Sequence, residues 1–334
     1  MVVSYQDSIK VSLITPVYGV EKYIEKCAES LFLQTYRNCE FIFVNDCTPD
    51  ESISVLKKVI NRFPHRKEQI KIVTHDKNEG LACARNTGVD VALGDYVMHV
   101  DSDDTIDIRA VELCVKKVLE ENADAVIVGM NHLLKKGNHI EHVSVPPDHT
   151  QYIKRLITRK AMVCMCGGLY RRSLYTDNNV WAVPHLNMGE DYSTKPRLLY
   201  NAKKVVALDM PLYNYNHLNE TSYTRVFKSS RIDDLQKALS VLREFFCDSG
   251  VISEYENSLS EAECSSKIIL LKSWAISQST RQDFQRIRVV FDNSDVGLRF
   301  SSIDRLLLYL TQNDHPQLVR LIVRAGIKIK SLFK

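Results

Sequence analysis

The first 130 residues alternate between short apolar runs and amphipathic helical stretches, and this alternation limits the fold more than any other feature. Val11–Val17 is an apolar run, and Glu21–Phe32 then sets Ile24, Cys27, Ala28, Leu31 and Phe32 at helical spacing. Glu40–Asn45 holds Phe41-Ile42-Phe43-Val44, after which Pro49 and Asp50 open a helix to about Phe63. Ile70–Thr74, Leu81–Ala92 and Tyr96–Val100 read as strand, helix and strand. A helix from Ile106 to about Glu121 and a strand Ala125–Gly129 follow. The order predicts an α/β, Rossmann-like fold: a mainly parallel sheet flanked by helices, with right-handed crossovers. Beyond it, His139–Val145 reads as a weak edge strand and Gln151–Thr158 as a helix. From about Val226 the chain reads as a helical extension, with Ile232–Phe246, Ser258–Ile276 and Ser302–Leu310. The expected organisation is therefore 1–225 and 226–334.

Ligands of such sheets bind at the carboxyl ends of the strands. Here those ends carry Thr15-Pro16-Val17-Tyr18, Asn45-Asp46, Asp76 with Asn78, and Asp101-Ser102-Asp103-Asp104. Clustered carboxylates repel one another unless a cation neutralises them. Hard oxygen ligands suit Mg²⁺ or Mn²⁺ held jointly with a substrate diphosphate. The alternative is a solvated acidic turn, or a cap for the helix from Ile106. Asp46 can accept a hydrogen bond from a base N–H, and the Arg85 guanidinium suits a diphosphate or base. Arg85 as a surface helix residue is the alternative. Gly189-Glu190-Asp191 offers a general base for an acceptor hydroxyl, or simply acidic residues favoured at a helix start.

Taken in order, these segments resemble the family 2 glycosyltransferases. The matching pieces are Val11–Tyr18, Glu21–Ile24, Ser30–Tyr36, Phe43–Asp50, Asn78–Asn86, Asp101–Asp104, Gly189–Asp191 and Tyr213-Asn214-Tyr215, spanning about residues 9–225. The resemblance implies a GT-A fold and an inverting transfer from a nucleotide-sugar, by default a UDP-sugar. It implies Thr15, Pro16, Tyr18, Asp46, Arg85, Asp101 and Ser102 at the donor. Asp101 and Asp103 would form the Asp-x-Asp metal site for Mn²⁺ or Mg²⁺, Asp191 the catalytic base and Glu190 a supporting carboxylate. His217, just past Tyr213-Asn214-Tyr215, is a candidate third metal ligand or a lone exposed histidine. Many relatives carry two Asp and a Gly-Ser where this chain has Asn45-Asp46-Cys47-Thr48. Relatives often build cell-surface polysaccharide on glycan or lipid-linked acceptors.

Competing readings are weaker. Asp101-Ser102-Asp103-Asp104-Thr105 also fits the Asp-x-Asp-x-Thr of haloacid-dehalogenase-like phosphatases, but there the motif sits on the first core strand. No GxGxxG follows the first strand and no Walker A sequence occurs. With 44 basic and 41 acidic residues, nothing in the whole-chain charge points to nucleic acid. Nine scattered cysteines without CxxC fit a reducing cytoplasm. The opening MVVSYQDSIK lacks the pattern of a secretory leader, and no apolar run reaches the ~18 residues of a membrane span. Leu318–Lys334 carries five basic and no acidic residues among Leu, Ile and Phe. That suits either a helix on an anionic membrane surface, peripheral on the inner face of the plasma membrane, or a docked terminal helix.

Overall fold

The computed structural model describes residues 9–219, 227–291 and 300–332, with side chains of the last helix as far as 326. The opening eight residues, the expected boundary at 225/226 and the last three basic side chains lie outside the described residues. Two compact units share the chain. The first holds residues up to Leu156, Ala161–Leu186 and Glu190–Glu220; the second holds Ile157–Lys160, Asn187–Gly189 and Thr221 onward.

In the first unit a nine-stranded sheet is organised around β1 (Val11–Val17). Every position of β1 is buried, as in a parallel strand covered on both faces. It pairs in parallel with β2 (Cys39–Asn45) and β4 (Tyr96–His99), and β3 (Ile70–Thr74) lies beyond β2. Past β4 the sheet is mixed. β8 (Gly168–Arg171) is antiparallel to β4 and to β6 (Ala125–Leu133), and β9 (Val205–Asn216) runs parallel to β6. β5 (Thr105–Ile106) pairs with β9, and β7 (His139–Glu141) pairs with β6.

Two layers of helix cover this sheet. α1 (Ile24–Phe32) buries the five residues whose spacing predicts it, and Phe32 packs edge-on against Phe41 at 5.2 Å. α4 (Ala110–Glu121) adds Val111, Cys114, Val115 and Val118 to the same core. Truncating a buried aromatic such as Phe32 to Ala would cost about 3–5 kcal/mol. α2 (Ser52–Arg62) packs beside α1. α3 (Leu81–Asp90) packs on β1 through Gly88, where an added Cβ would come within 2.2 Å of Ile14 Cγ2. Leu13 and Ile14 alternate in direction along the strand, so α1 and α3 take opposite faces.

The expected helix from Ile106 starts instead at Ala110, after β5. Thr105 and Ile106 pair with Asn214 and Tyr213, over a hundred residues later, which no local pattern reveals. The first unit also contains α5 (His149–Ile157) apart from its last residue, α6 (Ser173–Thr176) and α7 (Glu190–Tyr200).

β1 and β4 part at their carboxyl ends. Their ladder stops at Ile14, where Val100 N donates to Ile14 O at 2.9 Å, while β1 and β2 stay paired to Val17. Val17 O accepts from Asp46 N on the β2 side, so Pro16 turns its missing N–H toward the side β4 has left. The opening so formed is where an α/β sheet holds its ligands.

The second unit contains α8 (Ser230–Asp248), α9 (Ile252–Ile276), α10 (Arg281–Val289), α11 (Ser302–Gln312) and α12 (Pro316–Leu332). The 25-residue α9 contacts the other four. Trp274, Leu271, Phe284, Ile287, Leu307 and Val319 form its core. α10, absent from the sequence reading, opens on a capping box in which Thr280 and Asp283 satisfy each other's backbone N–H. In α12, Arg320 lies 4.3 Å over the Trp274 ring, and Arg324 Nε donates to Ala275 O at 3.0 Å. Two of the tail's five basic groups are thus engaged with α9 and its C-terminal end. Among the described residues no helix is long and apolar enough to cross a membrane.

Candidate active site

The loop after β4 is neither a solvated turn nor a helix cap. Ser102 and Asp104 are buried, and Asp104 accepts from Tyr213 Oη at 2.6 Å and Asn216 N at 2.7 Å. Tyr213 Oη also accepts from Asp101 N at 3.1 Å. Asp103 Oδ2 accepts from Asn219 Nδ2 at 2.8 Å, and its carbonyl from Asn216 Nδ2 at 3.1 Å. The end of β9 therefore clamps the loop from Asp101 to Asp104. Burial, with the charges of Asp101 and Asp103 adding to it, raises Asp104. Burial and Asp101 raise Asp103.

Arg85, on α3, is a buried hub and not a surface residue. Its Nη2 donates to Asp101 Oδ1 at 2.9 Å, and its Nη1 donates to Asp191 Oδ1 and, at 3.3 Å, to Glu190 Oε1. Burial works against its charge, but Asp191, Asp101, Cys166 and Glu190 together hold it firmly protonated. Glu190 and Asp191 occupy the first turn of α7, so the acidic helix start is real and is also joined to the β4 loop. Burial raises both carboxyls; Arg85 opposes this at each. A buried carboxyl with a raised pKa beside an ion-pair partner is the usual environment of a general base.

Further residues complete this region without having been singled out in the sequence. His99 ends β4 and contacts Tyr175 Oη at 3.0 Å; burial and Arg85 push it down to about 3, so it stays neutral. Among the described residues His99 Nδ1 and Arg85 Nε have no protein partner, and both residues line a small cavity with Tyr175, Asp191 and Thr194. Lys195, one helical turn after Asp191, is wholly buried and donates to Cys164 O at 2.7 Å. Burial pushes it down to about 8. The i, i+4 spacing of Asp191 and Lys195 on one helix was the available signal.

The proposed donor residues fall into separate environments. Thr15 and Pro16 are buried in β1, and the Thr15 hydroxyl has no hydrogen-bond partner among the described residues; Tyr18 is half exposed. Asp46 is only 3% exposed, and its carboxylate accepts from Glu79 N and Gly80 N, each at 2.8 Å. Its Oδ1 also lies 2.8 Å from His75 Nδ1, while His75 Nε2 meets Thr87 Oγ1 at 2.9 Å. Asp46 thus fixes the turn into α3, where Gly80 adopts φ +90°. Cys47 adopts φ 55°, a left-handed conformation that favours glycine. This accounts for the glycine that many relatives carry there.

Asp101 and Asp103 suit a hard divalent cation. Both are oxygen ligands, each has one oxygen held by a donor, and they crowd Asp104 with like charge. Among the described residues no group of three or more His, Cys, Asp or Glu side chains is placed to hold a metal. His217 Nε2 lies 2.8 Å from His132 Nδ1, because β6 and β9 run side by side.

Residues 12–177 match the description Glycosyl transferase family 2. The chain belongs to glycosyltransferase family 2. It is 28% identical over 287 residues to the uncharacterized glycosyltransferase EpsJ of Bacillus subtilis, covering 83% of this chain and 81% of that one. It is 26% identical over 210 residues to the Staphylococcus aureus poly(ribitol-phosphate) beta-N-acetylglucosaminyltransferase TarS, covering 62% of this chain and 35% of that one. The crystal structure of TarS 1-349 superposes with a TM-score of 0.70 at 18% identity, covering 96% of this chain and 91% of that one. That protein has also been crystallised with UDP and with UDP-GlcNAc. The fold is GT-A, with helices following the mixed sheet. An Asp-x-Asp that follows the fourth strand of this family's domain leaves the phosphatase reading without support.

Proposed function

We propose that this family 2 enzyme transfers a sugar, with inversion, from a UDP-sugar to a hydroxyl of a glycan or lipid-linked acceptor in cell-surface polysaccharide synthesis. The observation that carries the reading is Arg85, whose guanidinium joins Asp101 of the Asp-x-Asp motif to Asp191 and Glu190. In the proposed reaction Asp191 takes the acceptor hydroxyl proton as the oxygen attacks the anomeric carbon. The bond from that carbon to the diphosphate breaks, and Glu190 shares the field that sets the base. Arg85 holds the two carboxylate groups at a fixed spacing and faces the departing diphosphate. Asp101 and Asp103 would hold Mn²⁺ or Mg²⁺, which when bound offsets the negative charge of the leaving nucleoside diphosphate. Thr15, Pro16, Tyr18 and Ser102 would shape the donor site, and Asp46 would position the turn beside it. The UDP complexes of TarS and the GDP-Man and Mn²⁺ complex of a Pyrobaculum calidifontis mannosyltransferase, which superposes with a TM-score of 0.52, support this assignment.

A panel of nucleotide-sugars with Mn²⁺, read by released nucleoside diphosphate, tests the reading. Release from a UDP-sugar, lost in Asp103→Ala and Asp191→Ala, is expected. Full transfer by Asp191→Ala would overturn the base assignment.

The same reading places the enzyme in the cytoplasm, with the tail on the inner face of the membrane. Leu318 and Leu321 are exposed and would make that contact, and the sequence adds positive charge at Lys328, Lys330 and Lys334. Replacing the three lysines with Glu should abolish binding to vesicles containing phosphatidylglycerol. Unchanged vesicle binding would sink the membrane role.

A further inference from the structure

The sheet carries a strip of rings that the proposed chemistry does not use. In the β6–β9 ladder Met130 faces Tyr213 and His132 faces Tyr215; in the β6–β7 ladder His132 faces His139 and Met130 faces Glu141. Paired residues point to the same side of a sheet. Tyr213, Tyr215, His132, His139 and Glu141 therefore share the face that carries the Asp101–Asp104 loop, to which Tyr213 is bonded. His217 joins them. Its ring centroid lies 4.6 Å from Tyr215 and 5.0 Å from His132, and His132 stacks on His139 at 6.0 Å. Tyr215, His132 and His217 are half-buried, and His139 is exposed.

Two observations say what such a strip offers. The polar edges are already engaged: Glu141 Oε2 lies 2.8 Å from His132 Nε2, and His132 Nδ1 lies 2.8 Å from His217 Nε2. With both of its nitrogens engaged, His132 is fixed at the centre of the strip and presents ring surface in place of donors. The strip also leads to the reaction centre. Asn216 and Asn219, which bracket His217 in sequence, both bond to Asp103. A rigid ring surface beside a sugar-transfer site is complementary to the C–H face of a pyranose. Gluco-configured β-glycosides carry axial hydrogens at C1, C3 and C5 on one side, and burying them against rings gains apolar contact with little ordering cost.

We propose that Tyr215, His217, His132 and His139 form the subsite that stacks the acceptor sugar next to Asp103. This rests on the transfer reaction proposed above. It makes the β6–β7 hairpin a determinant of acceptor choice, separate from the donor residues on β1, β2 and α3.

Saturation-transfer NMR with the methyl β-glycosides of glucose, galactose and N-acetylglucosamine tests it on the full chain. Transfer is expected to be strongest to H1, H3 and H5, the axial hydrogens that all three glycosides carry on one face. His139→Ala should weaken glycoside binding by roughly 2- to 12-fold, the range for one stacked ring, and His139→Tyr should restore it. Donor KM and donor hydrolysis should be the same in both variants, because His139 is exposed and bonds to no donor residue. Glycoside contacts unaffected by His139→Ala and His132→Ala would overturn the proposal, as would no contact with the wild-type protein. The parent reading fails differently: no UDP release from any nucleotide-sugar, whatever the glycosides do.

Discussion

Arg85 is the group whose removal should most disturb this protein, and the expected size follows from its contacts. Its guanidinium is buried and touches Asp101, Glu190 and Asp191. Arg85→Met would leave three carboxyls facing one another with no cation between them. Removing one member of a buried ion pair typically costs about 3–5 kcal/mol, mostly because the survivor stays buried and uncompensated. Asp191→Asn should cost less, since Arg85 keeps Asp101 and Glu190. In the double variant the Asn relieves part of the repulsion that Arg85→Met creates. The coupling energy between the two changes should therefore reach about 2–3 kcal/mol. Arg85→Met with Asp46→Asn is the control, because Asp46 bonds to the α3 turn and not to Arg85; that pair should be additive within about 0.5 kcal/mol.

Urea unfolding with 5-fluorotryptophan suits the measurement. The chain has two tryptophans, Trp181 in the first unit and Trp274 in the second, so the ¹⁹F signals report the units separately. The pH dependence is a second check. Glu190 and Asp191 have folded pKa values raised by burial, and losing Arg85 raises them further. A carboxyl raised on folding binds more protons in the folded state, so stability falls as pH rises from its unfolded pKa, about 4, through its folded pKa. The penalty of Arg85→Met should grow between pH 5 and 8. A coupling below about 0.5 kcal/mol, or a penalty that is flat with pH, would refute the account of Arg85 as the hub of the site.

Other changes test neighbouring parts. Lys195 falls from its ordinary 10.5 to about 8 through burial, so the unfolded chain binds more protons between those values and stability should rise with pH there. Lys195→Met should remove that rise and, measured by urea unfolding at pH 7, recover up to ~3 kcal/mol less the lost bond to Cys164 O. Cys47→Gly should stabilise the first unit by about 0.5–1 kcal/mol, since φ 55° strains any L side chain; a lower urea midpoint would contradict this. Mn²⁺ should raise the thermal midpoint, by an amount equivalent to about 2.7 kcal/mol at a hundred times its Kd, and Asp103→Asn should abolish the shift. A shift of equal size in that variant would place the ion elsewhere.

Local patterns show much of this architecture. The spacing of Ile24, Cys27, Ala28, Leu31 and Phe32 marks the buried face of α1, and Ile70–Thr74 is a strand with the predicted ends. The polar strand ends do lie along one sheet edge, since β1 to β4 are parallel. What local pattern misses is long-range pairing. β5 exists only because β9 returns to Thr105, and the bond from Tyr213 to Asp104 spans 109 residues. Arg85 looks like a surface residue until α7 brings Glu190 and Asp191 to it. His217, just past the Tyr-Asn-Tyr motif, is open in sequence to two readings, a third metal ligand or a lone exposed histidine. Strand register brings its ring to His132, a pairing across 85 residues that no local pattern shows.

The charge around Arg85 and β9 is unbalanced in a way that bears on ligand order. Asp101, Asp103, Asp104, Glu190 and Asp191 lie in one connected network with Arg85 and Lys195 as the nearby cations. Burial and mutual repulsion raise Asp103, Asp104, Glu190 and Asp191 together. A diphosphate is itself an anion, so this surplus opposes it unless a cation enters as well. A cation held by Asp101 and Asp103 would offset their charge and would leave more of the Arg85 charge for the phosphates. Binding of the two ligands should then be linked, each tightening the other by the same factor, as any coupling free energy requires. Asp104 contributes to the repulsion without being a proposed ligand, because Tyr213 and Asn216 occupy both its oxygens. Asp104→Asn should therefore weaken the linkage while leaving Asp101 and Asp103 in place. Isothermal titration of UDP with and without Mn²⁺ measures this directly. An unchanged coupling factor in Asp104→Asn would show that repulsion within the loop does not drive the linkage.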